Sequence, residues 1–274
     1  RQGISVDWID TRDPSNIRKN IKKNTKLVHV ESPTNPLLEL CDIEAAAQIC
    51  KEKNVLLSVD NTFMSPYGQR PLDLGADITM QSSTKSLSGH SDVLGGVLAT
   101  NNNDLYDKLQ FMLKATGGVP SPFDNWLTLR STKTLALRYQ KASDNASGLA
   151  NFLSDHEKVT NVIYPGLESH PQHRLAMKQQ LSPKGDIVFG AMLSIDVGNT
   201  DRRDDFLKRI EVFQLAESLG SVESLVCVPF FMTHAALPEN TKLEMGLTKT
   251  LIRLSVGIED LDDLVNDLSN ALNK

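Results

Sequence analysis

The chain has 274 residues, 29 Lys and Arg against 34 Asp and Glu, a formal net charge of −5 and three cysteines. Nearly balanced charge spread along the chain leaves no electrostatic footprint for nucleic acid or an anionic membrane. No apolar run reaches the length of a membrane span, and the first residues carry no signal-peptide core. Cys41, Cys50 and Cys227 lie in apolar or helical surroundings, against a disulfide framework or zinc site. What remains is a cytoplasmic α/β protein with room for one large or two moderate domains, acting on small molecules and other proteins.

In chain order, 26–30 predicts a short strand, and the loop 31–36 must leave regular structure because Pro33 and Pro36 disfavour sheet pairing. Asp42 caps a helix over 43–53, whose apolar stripe runs Ile43, Ala46/Ala47, Ile49/Cys50. Val55–Val59 then has the continuous apolarity of a strand buried on both faces, ended by Asp60. Strand, helix and strand make a right-handed βαβ unit. Asn35 and Asp60 then leave the carboxyl ends of parallel strands, the edge where open α/β sheets bind ligands.

Residues 78–83 predict a further strand, leading into Ser82-Ser83-Thr84-Lys85 and Gly89-His90-Ser91-Asp92. Hydroxyls, an amine and glycines delivered to one place, 25 residues after a strand-end carboxylate, form a cradle for a phosphorylated, carbonyl-bearing cofactor. Val93–Thr100 reads as another buried strand, and a helix capped by Asn103 or Asp104 runs to Gly117-Gly118. Pro120-Ser121-Pro122 punctuates. One long amphipathic helix is predicted over about 131–155, bridging two domains. The remainder alternates strands over 186–197, 212–216 and 251–257 with helices over 202–210 and 261–272. Arg253 lies inside an apolar strand, where a guanidinium needs a carboxylate or a substrate anion. His170 and His173 have ligand-like spacing, but Pro171 and the lack of a nearby acidic or cysteine cluster leave them a polar loop.

Several segments together resemble the Cys/Met-metabolism family of pyridoxal-phosphate-dependent enzymes. They are Glu31-Ser-Pro-Thr-Asn-Pro36, Val59-Asp-Asn-Thr-Phe-Met-Ser-Pro66, Ser82-Ser-Thr-Lys-Ser-Leu-Ser-Gly-His-Ser-Asp92, Tyr164-Pro-Gly-Leu-Glu-Ser-His-Pro171, Leu215-Ala-Glu-Ser-Leu-Gly220, Met232-Thr-His-Ala235 and Ile252-Arg-Leu-Ser-Val-Gly-Ile-Glu-Asp260. The resemblance implies an aspartate aminotransferase-like (fold type I) α/β fold. Residues 1–134 would be part of the large cofactor domain, and 135–274 a smaller C-terminal α/β domain that includes the bridging helix. It also implies a homotetramer built as a dimer of dimers. In the family, a glycine-containing phosphate loop, a ring-stacking tyrosine, and a tyrosine and arginine lent by a neighbouring subunit precede the stretch resembling Gly3–Asp7. An N-terminal part is therefore expected outside these 274 residues.

Residue by residue, the resemblance makes Lys85 the Schiff-base lysine and proton shuttle, and Asp60 the partner of the protonated pyridine nitrogen. Ser82 and Thr84 hold the phosphate, while Asn35 and Thr62 lie beside the ring. Arg253 clamps the substrate carboxylate, Ser218 supports Lys85 or that carboxylate, and Asn35 also reaches the substrate. Glu217 would pair with the distal ammonium of cystathionine; Glu31 and Thr233 are weaker candidates. The implied reaction is α,γ-elimination of L-cystathionine to L-cysteine, 2-oxobutanoate and ammonia, with hydrogen sulfide release as a side activity. Neighbouring reactions are cystathionine synthesis from an activated homoserine, β-elimination of cystathionine, and γ-elimination of methionine. A non-catalytic subunit of the same fold is the alternative of another class.

Overall fold

Four short strands early in the chain pair in sequence order, because each apolar run is followed by a polar stop and a return segment. A computed structural model describes residues 3–273. After α1 (Ser15–Asn20) come β1 (Leu27–Glu31), α2 (Ile43–Lys53), β2 (Leu56–Asp60), α3 (Ser65–Gly68), β3 (Ile78–Ser82) and β4 (Gly96–Ala99). The sheet order is β1-β2-β3-β4; the first three strands are parallel and β4 is antiparallel. The expected βαβ unit is present. Asp42 caps α2 through its side chain, which accepts from the Ala45 N–H at 3.0 Å, and Ile43, Ala46 and Cys50 press onto Val30, Leu57 and Val59.

The second sheet has the order β5-β6-β9-β8-β7, built from β5 (Asn161–Ile163), β6 (Met192–Asp196), β7 (Gln214–Leu215), β8 (Leu225–Cys227) and β9 (Leu251–Ser255). Before it run α4 (Asn103–Thr116), α5 (Pro122–Thr132) and α6 (Leu135–Ser154). Around it lie α7 (His173–Gln179), α8 (Thr200–Arg209), α9 (Glu239–Glu244) and α10 (Leu261–Asn273). Leu149 and Leu153 of α6 and Leu264 and Leu268 of α10 share one core with Leu193 and Ile252 of the sheet. Gly148, a weak helix former, belongs in α6 because a Cβ there would stand 2.8 Å from a Leu261 methyl. Leu38 and Phe63 from the first half meet Met192 and Leu219 from the second, which fixes the strand edges of the two sheets near each other. The three thiols are buried and free, as expected.

Several elements differ from the sequence expectation. The segment 93–100 is not a buried strand: only Gly96–Ala99 is extended, and all four residues are exposed, at the edge of the sheet. The single helix over 131–155 is two helices, α5 ending at Thr132 and α6 beginning at Leu135, with Thr134 at φ −110°, ψ 6° between them. Pro120-Ser121-Pro122 starts α5 rather than merely punctuating: Ser121 Oγ accepts from the Asp124 N–H at 3.1 Å and Pro122 takes the first turn, where its missing N–H costs nothing. The cap of α4 is Asn102, one residue ahead of the expected pair, accepting from the Leu105 N–H at 3.0 Å. The strands over 186–197 and 212–216 are shorter than expected, and β5 and β8 have no counterpart in the sequence reading. Helix α4 buries none of its residues and α5 only Ser131, so Phe111, Met112, Phe123, Trp126 and Leu129 are exposed.

Candidate active site

The parallel order of β1, β2 and β3 brings their carboxyl ends to one edge, and the polar residues that stop the strands collect there. Glu31 and Asp60 are register partners at the ends of β1 and β2, and Ser82 ends β3. Asp60 Oδ1 accepts from the Thr62 N–H at 2.9 Å, and Thr62 Oγ1 accepts from the Ser82 N–H at 2.9 Å. Asp60, Thr62 and Ser82 are therefore linked through backbone donors. Thr84 is tied elsewhere: its Oγ1 accepts from the Gly95 N–H at 2.9 Å and donates to the Gly95 carbonyl at 3.3 Å.

Lys85 follows in a tight turn over Ser83–Leu87, at φ −87°, ψ −135°, outside the helical region its neighbours occupy. Two contacts hold that turn. Arg138 of α6, buried, donates from Nη1 to the Ser86 carbonyl at 2.9 Å and from Nη2 to the Leu87 carbonyl at 3.3 Å. On the opposite side Gly220, at φ +77°, packs so closely that a Cβ would stand 2.9 Å from the Ser86 nitrogen and 3.2 Å from Lys85 Cβ. Only glycine satisfies both the left-handed backbone and the approach. The Lys85 Nζ then donates to Ser218 Oγ at 3.1 Å across 133 positions of sequence. Burial and, after it, the positive charge of Arg253 push the Lys85 amine below the ordinary lysine range.

Arg253 sits in β9 at 1 % exposure. It donates from Nη1 to Asn35 Oδ1 at 3.1 Å and from Nη2 to the Glu217 and Ser218 carbonyls, each at 2.9 Å. All of these acceptors are neutral. Its Nε is buried without a hydrogen-bond partner, and Cys227, its cross-strand neighbour, offers only a thiol. Burial pulls the Arg253 pKa down, opposed by the nearby Cys227 and Glu217. A buried cation with an unused N–H is an anion site in waiting. The Glu217 side chain is exposed and its backbone carbonyl makes the contact to Arg253; Thr233 Oγ1 is hydrogen-bonded to His234 Nδ1 at 2.9 Å.

Of the residues singled out from sequence, Lys85 and Ser218 meet directly, as do Asn35 and Arg253, while Asp60, Thr62 and Ser82 form a neighbouring group. Arg138 was passed over, although its spacing from Leu135 and Ala142 puts a charge on the buried stripe of its helix, a legible signal. His170 and His173 make hydrogen bonds within their own loop, and no group of three or more potential metal ligands occurs among the described residues.

The donor set fits pyridoxal phosphate. A half-buried amine of lowered pKa suits an aldehyde, a strand-end carboxylate suits a pyridinium N–H, and the unsatisfied Arg253 Nε suits the carboxylate of an amino acid.

The comparisons agree with this chemistry. The sequence matches the family described as Cys/Met metabolism PLP-dependent enzyme over residues 1–273. It is 49% identical over 271 residues to a cystathionine gamma-lyase of Dictyostelium discoideum, covering 99% of this chain and 69% of that one. It is 43% identical over 274 residues to a cystathionine beta-lyase of Lactococcus lactis subsp. cremoris, covering 100% of this chain and 70% of the relative. The crystal structure of cystathionine gamma-lyase from Lactobacillus plantarum complexed with L-serine superposes with a TM-score of 0.92 at 41% identity, covering 97% of this chain and 68% of that one. A lysine, a strand-end carboxylate and a buried guanidinium drawn from distant parts of the chain thus sit in a fold shared with such lyases, and the chain belongs to the Cys/Met-metabolism family of pyridoxal-phosphate-dependent enzymes.

Proposed function

We propose that this enzyme cleaves L-cystathionine by α,γ-elimination, releasing L-cysteine, 2-oxobutanoate and ammonia. The observation that carries the reading is Arg253, a buried cation held only by neutral groups and keeping one N–H unused, close to the Lys85 amine and the exposed Glu217. The relatives named cystathionine gamma-lyase support it. The Lactococcus lactis relative favours β-elimination as a second reading, and the two reactions differ in their products.

Pyridoxal phosphate, when bound, supplies a sink for the electron pair left at Cα once its proton is removed. The Lys85 Nζ would hold the cofactor and, when free, take the Cα proton. Its depressed pKa keeps more of the amine neutral at a given pH, and only the neutral amine is a base. Ser218 Oγ orients that nitrogen. Asp60 would accept from the ring N–H, Ser82 and Thr84 would grip the phosphate, and Asn35 and Thr62 would flank the ring. Binding phosphate through the Thr84 hydroxyl would require it to give up one of its two bonds to Gly95. Arg253 would bind the α-carboxylate, with Asn35 and Ser218 beside it.

Glu217 makes no ion pair within 4.0 Å among the described residues, and we assign its exposed carboxylate to the distal ammonium of cystathionine. The Glu217→Val variant is expected to lose about two- to fivefold in kcat/KM for L-cystathionine while gaining or holding activity on L-methionine, the cost of one solvent-accessible charge pair. Parallel steady-state assays with the two amino acids measure it. Unchanged selectivity would remove the reason for preferring cystathionine.

We further propose a homo-oligomer in which the exposed apolar residues of α4 and α5 pack against another copy. Sedimentation equilibrium should give a multiple of the subunit mass, and a monomer throughout would contradict this.

A further inference from the structure

A second carboxylate shares the edge occupied by Asp60. Glu31 and Asp60 are register partners on parallel neighbours, which places their backbones about 4.8 Å apart. Two positions earlier on the same strands, His29 Nδ1 lies 3.2 Å from Ser58 Oγ, so this row of side chains shares one face. Glu31 is half-buried, and no Lys, Arg or His among the described residues pairs with it within 4.0 Å. β1 is an edge strand of its sheet. The ionisable group acting on Glu31 is Asp60 on β2; His29 lies two positions earlier on the same strand, and Arg253 is bonded to the side chain of Asn35, whose backbone N–H reaches Glu31. Burial, and after it the charge of Asp60, lift the Glu31 carboxyl to about 7, against a smaller opposite pull from the Asn35 backbone N–H. Glu31 and Asp60 are adjacent carboxyl groups at one strand edge, and neither has an ion-pair partner within 4.0 Å among the described residues.

We propose that Glu31 is a positioning residue for Asp60, a neutral neighbour when protonated and a second negative charge at the ring-nitrogen end of the cofactor site when ionised. The inference rests on the assignment of Asp60 to the cofactor's ring nitrogen. Ionised Glu31 strengthens the hold on a protonated ring nitrogen, and by reciprocity the bound cofactor favours loss of the Glu31 proton.

The test is the affinity of the apo-protein for pyridoxal phosphate, read by equilibrium dialysis, in the unmodified protein and in Glu31→Gln, which mimics the protonated acid. The two proteins should bind alike at about pH 6, where Glu31 is neutral in both. At about pH 8.5 the variant should bind roughly five- to tenfold more weakly, the scale of one unscreened neighbouring charge. Titration calorimetry on the unmodified protein alone, at about pH 7 in two buffers of different ionisation enthalpy, keeps the proposal testable if the variant does not fold. Cofactor binding should release a fraction of a proton beyond that released at about pH 8.5, where Glu31 has already ionised. A difference between the proteins that is the same at both pH values, or a proton count that does not change with pH, overturns the role of Glu31 while leaving the cofactor site standing. Failure of the unmodified protein to bind pyridoxal phosphate overturns both assignments.

Discussion

Lys85→Ala is expected to abolish turnover of L-cystathionine, with 2-oxobutanoate release falling by at least about 10⁴-fold, the upper end of what a positioned general base supplies. The loss is larger than for any other single side chain because one amine has two tasks, holding the cofactor and moving the Cα proton. The fold should survive. Lys85 contributes a half-buried amine and one hydrogen bond to Ser218, while the turn around it is held by Arg138 and Gly220 through backbone contacts that alanine keeps. Borohydride reduction of the loaded protein followed by peptide mapping should place the pyridoxyl label on the Lys85 peptide, and the variant should give no label there. Retained lyase activity, or a label on another lysine, would sink the assignment.

Arg253→Met should lower kcat/KM for L-cystathionine by about 30- to 5,000-fold, the range for removing one partner of a buried, hydrogen-bonded charge pair at 2–5 kcal/mol. Most of the change should fall on KM, since the guanidinium holds the substrate carboxylate in the ground state and in the transition state alike. Arg253→Lys keeps the charge but loses the planar fork, and belongs between the two. The substitution to methionine also leaves the Glu217 and Ser218 carbonyls and Asn35 Oδ1 without their donor, and because these acceptors are only partly buried each costs less than the about 1–3 kcal/mol of a fully buried unsatisfied group. A thermal melt should therefore show a lower Tm. Removing a desolvated cation that has no counter-ion offsets part of that cost. A KM unchanged by Arg253→Met would place the substrate carboxylate elsewhere.

The strand-end residues were legible because an apolar run stopped by a polar residue states both the strand and its edge. Asp60 after Val55–Val59 and Lys85 after the third strand are of this kind, and parallel pairing follows from the intervening helix. Arg253 was legible for the opposite reason, a charge where the pattern demanded none. Other features were not. Gly96–Ala99 has the apolarity of a covered strand yet lies exposed, because a short apolar run reads the same whether or not another layer lies over it. The engagement of Thr84 by Gly95, and the meeting of Lys85 with Ser218, depend on contacts across 11 and 133 positions that no local pattern encodes. The start of α5 was legible but misread, since a serine cap followed by proline opens a helix as readily as it closes a loop.

The products released from L-cystathionine by the unmodified protein loaded with pyridoxal phosphate show which carbon–sulfur bond breaks. Cleavage on the γ side gives 2-oxobutanoate with free cysteine, and mass spectrometry of the derivatised keto acid and thiol should find that pair. Pyruvate with homocysteine would instead assign the protein to β-elimination and rule out cleavage on the γ side.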